Sequence, residues 1–121
     1  MLIDVLRERE AARRLRELRA IEPPPLICAI NIEEVWRGAA PREADLIRRL
    51  IGALRTVPLT AREGEVAGSW RRDFGARGVT LSQSECLIAA AAFTAGGRLA
   101  TGNPNDFPMP GLEVEHWPAG R

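Results

Sequence analysis

The chain has 121 residues, of which 45% are hydrophobic and 27% charged, with a formal net charge of +1. That is the make-up of one globular domain large enough to bury a core, and it excludes the strong global field that advertises nucleic-acid or membrane binding. No apolar run approaches the roughly 20 residues of a membrane span, and the start runs straight into charge, so neither an anchor nor a signal peptide is expected.

Taken in chain order, "MLIDVLRERE" opens a stretch in which Val5, Leu6, Leu15 and Leu18 recur at helical intervals among Arg and Glu, predicting a helix over residues 4–19. The prolines of "IEPPPL" end it. "LICAI", residues 26–30, is continuously apolar, the pattern of a strand covered on both faces of a parallel sheet. "NIEEVWRGA" turns into a helix stopping at Gly38, and "PREADLIRRLIGAL" predicts a second, with Pro41 near its start. Its apolar face is Leu46, Ile47, Leu50, Ile51 and Leu54, more than one helix of a small domain needs, which suggests that part of it meets a second copy. "VPL", residues 57–59, is a short strand. A helix then runs from Thr60 to between Gly75 and Gly78, and another through "LSQSECLIAAAAFTAGG". "RLATGN" is a strand, "PNDFPMPG" a loop and "LEVEHW" a closing strand. Strands alternating with helices imply a three-layer α/β fold with a central parallel sheet. Cys28 and Cys86, each inside an apolar run and without C-x-x-C spacing, read as small buried hydrophobes in a reducing cytoplasm. Three Trp, three Phe and no Tyr give little material for an aromatic platform that stacks single-stranded RNA.

Three stretches share one arrangement. In "AINIEE", "LSQSE" and "TGNPND" a small polar residue (Asn31, Ser82, Asn103) is followed three residues later by an acid (Glu34, Glu85, Asp106). In a parallel α/β fold, strand ends that feed helix N-termini converge on one edge of the sheet, where ligands bind. Carboxylates gathered there repel one another unless a cation neutralises them, and hard oxygen ligands suit Mg²⁺ or Mn²⁺. Such an ion lowers the pKa of a water and stabilises an in-line displacement at phosphorus. The same spacing is also that of a capping box, as at Thr60 and Glu63, and spacing alone leaves both readings open. Glu33, Glu43, Asp45 and Asp73 read as solvated helix acids and His116 as incidental; no His stands ready to activate Ser82 or Ser84, and no Gly-rich phosphate loop is present.

"LIDVLRE", "INIEEVWRGA", "LSQSECLIAAAAFTAGGRLATGNPNDF" and "PGLEVEHW" resemble, in order and spacing, the PIN-domain toxins of the VapC type. The resemblance covers nearly the whole chain and implies a single PIN-like domain over residues 1–121. It further implies a Mg²⁺- or Mn²⁺-dependent endoribonuclease of the cytoplasm, usually dimeric and held inactive by a cognate VapB-type antitoxin. Carried over by residue, Glu34, Glu85 and Asp106 would be metal ligands, directly or through water. Asn103 would orient a ligand, water or phosphate. Glu85 stands where the family most often has Asp.

Asp4 matches the second Asp of the family's N-terminal D-T-S-x-L-I-D motif, so the resemblance implies that the first strand and its terminal Asp are missing. Two explanations stand side by side: a start assigned inside the motif, which the retained acids and core pattern favour, and a true N-terminal truncation of the domain. As written, the chain is expected to be crippled as a nuclease, or to survive as an antitoxin-binding or dimerising module.

Overall fold

Where each helix begins is decided by which group takes the first unpaired backbone N–H. The computed structural model describes residues 26–116, Arg16, and the backbone of residues 2–4. At Cys28 the backbone is extended, and its N–H donates to Asn31 Oδ1 at 2.8 Å. That bond ends strand β2 (Leu26–Ile27) and starts helix α1 (Ala29–Arg37), which Gly38 terminates. The strand expected to run to Ile30 is thus cut short at Ile27, because the Cys28 carbonyl already accepts a helical bond from Ile32 N–H. A 3₁₀ turn (Pro41–Glu43) leads into α2 (Ala44–Gly52). Strand β3 is Arg55–Thr56, upstream of the expected "VPL". Val57 still donates to Ile27 O at 2.8 Å, but Pro58 has no N–H with which to continue the ladder. Thr60 caps α3 (Ala61–Ala76) and Ser82 caps α4 (Gln83–Thr94). Strand β4 (Arg98–Thr101), a 3₁₀ turn (Pro104–Asp106) and β5 (Val114–His116) complete the order.

The described strands form a parallel sheet of order β3-β2-β1-β4-β5, in which β1 is Leu2–Asp4. This corrects the expected absence of a first strand. Ile3 pairs with Leu26 on one side, and Leu2, Ile3 and Asp4 pair with Arg98, Leu99 and Ala100 on the other. Three extended residues are enough to supply the ladder that β2 and β4 would otherwise leave open in the middle of the sheet. Asp4, placed in a helix by its spacing, closes this strand instead. The rest of that helix lies outside the described residues, apart from Arg16, which is helical and exposed.

Alternation along β2 sorts the core between the two faces. Leu26 and Cys28 pack with Trp70, Phe74, Ile88 and Leu99, against α3 and α4. Ile27 packs with Val35, Ile47, Leu50 and Leu54, against α1 and α2. Helices therefore cover both faces, as an α/β sheet of parallel strands requires. Ile47, Leu50 and Leu54 are consumed inside the chain, and Leu46 and Ile51 are half-buried beside them. Covering the sheet thus accounts for most of the apolar face expected to meet a second copy. Both cysteines are fully buried, and burial pushes both thiols up.

Candidate functional site

The described strands all being parallel, their C-terminal ends share one edge. Asp4 ends β1 there, Ile27 ends β2 and leads into α1, and Thr101 ends β4 and leads into the Pro104–Asp106 turn. Helix α4 enters at the same edge through Ser82. The elements expected to carry chemistry thus meet at one edge of the sheet by topology.

Their local roles differ. Asn31 is fully buried and lies in the first turn of α1, where its side chain accepts from Cys28 N–H; it is a cap. Glu34 lies a turn further on and is not the capping partner that its spacing suggested. It is half-buried, its Oε1 fully enclosed, and its charge adds to the upward push on the Cys28 thiol, placing it by the end of β2. At α4 the Ser82 hydroxyl oxygen accepts from Glu85 N–H at 3.0 Å. The contrast is Thr60 and Glu63, where capping runs both ways. Glu63 Oε1 accepts from Thr60 N–H and from its hydroxyl, each at 2.6 Å, and Thr60 Oγ1 accepts from Arg62 N–H at 3.3 Å. Those bonds hold the Glu63 carboxyl down at about 2 and make it the capping partner of Thr60.

Asp106 is exposed on the 3₁₀ turn, its N–H donating to Asn103 O at 3.0 Å. Asn103 in turn donates its N–H to Thr101 Oγ1 at 3.0 Å. This pins the loop to the end of β4 and turns Asp106 back toward α4. Glu85 and Asp106 line one cavity of about 260 Å³, together with Val79, Thr80, Leu81, Ser82, Asn105 and Pro108. The amide in that lining is Asn105 rather than Asn103, a difference of turn geometry that spacing does not reveal. Glu34 lies outside the lining. Among the described residues no group of three His, Cys, Asp or Glu side chains is arranged to hold a metal ion; the Asp4 side chain lies outside them. The polar donors around the cavity are carboxylates, hydroxyls and an amide oxygen. This is the donor chemistry of Mg²⁺ or Mn²⁺ rather than of a softer metal, so the residues present fit such an ion in kind.

The PIN-domain family matches residues 1–108. The chain belongs to the PIN-domain family. Its fold is similar to that in three solved structures. One is VapBC2 of Rickettsia felis bound to a promoter DNA fragment, with TM-score 0.75, 19% identity, and 97% of this chain and 99% of that one covered. Another is DNA-bound VapBC of Salmonella typhimurium, with TM-score 0.73, 19% identity, and coverage of 96% and 97%. The third is FitAcB of Neisseria gonorrhoeae, with TM-score 0.72, 13% identity, and both chains covered in full at 100%. No curated protein sequence matches this PIN-domain chain significantly. The resemblance to PIN-domain toxins of the VapC type is borne out in family and fold. Among the described residues, no helix is long and apolar enough to cross a membrane.

Proposed function

We propose that this PIN-domain chain is the toxin of a toxin–antitoxin pair, and that it cuts RNA with Mg²⁺ or Mn²⁺ held by Asp4, Glu85 and Asp106. Glu34 joins them directly or through water. The observation that carries the reading is the cavity that Glu85 and Asp106 line with oxygen donors, at the strand-end edge where Asp4 closes the central strand. When bound, a divalent ion supplies an activated water and charge stabilisation for in-line displacement at phosphorus. The chain's own residues bind that ion, and Asn105 orients a water or phosphate at the rim. Ser82 keeps the first turn of α4, and with it Glu85, at the cavity wall. The partner is a VapB-type antitoxin, a reading supported by neighbours that are themselves VapBC complexes. The working form is a cytoplasmic homodimer.

The second reading is a non-catalytic antitoxin-binding or dimerising module. One experiment separates the two. Cleavage of a mixed RNA pool is followed for the wild type, Asp4→Asn, Glu85→Gln and Asp106→Asn, with Mg²⁺ or Mn²⁺ and with EDTA. The nuclease reading expects EDTA-sensitive cleavage by the wild type and a loss on the order of a hundredfold or more in each variant. Full activity in Asp4→Asn would remove Asp4 from the site. No cleavage by the wild type with any metal would leave the module reading.

A further inference from the structure

The wall of the cavity is a loop tied at both ends. Helix α3 closes in a glycine turn, with Gly78 at φ +80° and its N–H donating to Gly75 O at 3.0 Å. Val79 N–H donates to Phe74 O at 2.9 Å, which holds the start of the loop to the last turn of α3. The far end is held by a side chain. Arg71, on α3, donates its Nε–H to the Leu81 carbonyl oxygen at 3.2 Å. Between the two ties lie Val79, Thr80 and Leu81, and the next residue is Ser82; all four line the cavity with Glu85 and Asp106. Ser82 then passes the position on, through its hydroxyl, to Glu85 N–H.

Loop backbone without regular pairing keeps its shape only as far as its few bonds dictate. Leu81 is buried and so resists translation, but burial does not fix the direction of its carbonyl or the rotation of the following peptide. The guanidinium does both, because Nε–H is a single donor on a planar group whose orientation its own stem sets. Arg71 is not part of the lining, so its effect on the cavity passes through the loop.

We propose that Arg71 is a positioning residue for Glu85, acting through the Leu81 carbonyl to set the wall of the ion-binding cavity. This rests on Glu85 being a metal ligand, as read above. Groups that orient metal ligands tune the site, and losing one commonly costs about ten- to a hundredfold in metal affinity. Arg71 is exposed at the surface, so about tenfold is expected here.

The test compares the wild type, Arg71→Gln and Arg71→Lys. Lysine keeps the charge but puts a methylene where the Nε–H donates. Mn²⁺ affinity is measured on RNA-free protein by the loss of free-ion paramagnetic signal, and the KM for RNA is measured separately at saturating Mn²⁺. The expected result is a weakening of Mn²⁺ binding by about tenfold in both variants, with the KM for RNA unchanged. Should Arg71→Gln fail to fold, Arg71→Lys decides alone. Unchanged Mn²⁺ affinity overturns the proposal while leaving the nuclease reading standing. Unchanged affinity with a raised KM would make Arg71 an RNA contact, and also overturns it. A wild type that binds no Mn²⁺ removes the metal reading and this inference with it.

Discussion

Two glutamates on the first turns of neighbouring helices show how context divides a shared motif. Glu63 and Glu85 each stand three residues after a hydroxyl residue that caps a helix. Glu63 is bonded back to Thr60 twice and is almost entirely buried, whereas Glu85 lines an open cavity. The Thr60 hydroxyl and N–H, with the Thr94 hydroxyl, lower the Glu63 carboxyl from 4.5 to about 2. A carboxyl depressed in the folded state stabilises fully above its unfolded pKa and loses that contribution as pH falls through its folded value. The window is therefore from about pH 4.5 down to about 2. Glu63→Gln should flatten the fall in melting temperature across that window, and Thr60→Ala should cost about 1 kcal/mol at neutral pH. Thermal unfolding followed by circular dichroism at stepped pH checks both; an unchanged acid limb in Glu63→Gln would refute the assignment.

At the scale of the element, the α1 junction carries the largest departure from sequence pattern. Five apolar residues in a row read as a strand, yet Asn31 reaches back to Cys28 and begins a helix after two of them. The bond is buried, so removing the acceptor strands an amide without water to replace it. Asn31→Ala should cost roughly 1–3 kcal/mol, read as a lower urea midpoint with unchanged slope. A midpoint equal to wild type would show that another acceptor takes the Cys28 N–H. Gly111 bounds an element in another way. Its φ is +79°, and a Cβ there would lie 3.1 Å from Phe93 Cε1. Gly111→Ala should therefore destabilise the approach to β5 by about 1 kcal/mol or more, measured by thermal unfolding.

For the whole molecule, the sheet depends on three N-terminal residues. Strand β1 pairs on both sides and so supplies the only link, among the described strands, between β2 with β3 and β4 with β5. Ile3→Pro removes a donor from the middle of that ladder and should cost about 3 kcal/mol or more. The expected outcome is loss of cooperative unfolding or failure to express as folded protein. A variant with wild-type stability would show that residues 2–4 are not the central strand in solution. The α2 face bears on assembly: with Ile47, Leu50 and Leu54 buried inside the chain, only Leu46 and Ile51 remain partly exposed to add to an interface. Light scattering at micromolar concentration should still report a dimer if the toxin reading holds, and Leu50→Asp should unfold the protein rather than merely dissociate it.

Patterns local to a helix were legible in the sequence, because cap, apolar period and terminating glycine all lie within one stretch of chain. That is why α3 and α4 start after Thr60 and Ser82, why α1 ends at Gly38, and why alternating elements imply a parallel sheet. The family was legible too, since its blocks stand in order along the chain. Three things were decided only by tertiary structure. A three-residue segment becomes the central strand because two neighbours offer it ladders on both sides, which no local pattern encodes. The bend of the Pro104–Asp106 turn brings Asn105 rather than Asn103 to the cavity beside Asp106. Arg71 reaches Leu81 across ten positions of sequence, a contact that exists only because α3 and α4 pack side by side and bring the end of the loop under its guanidinium.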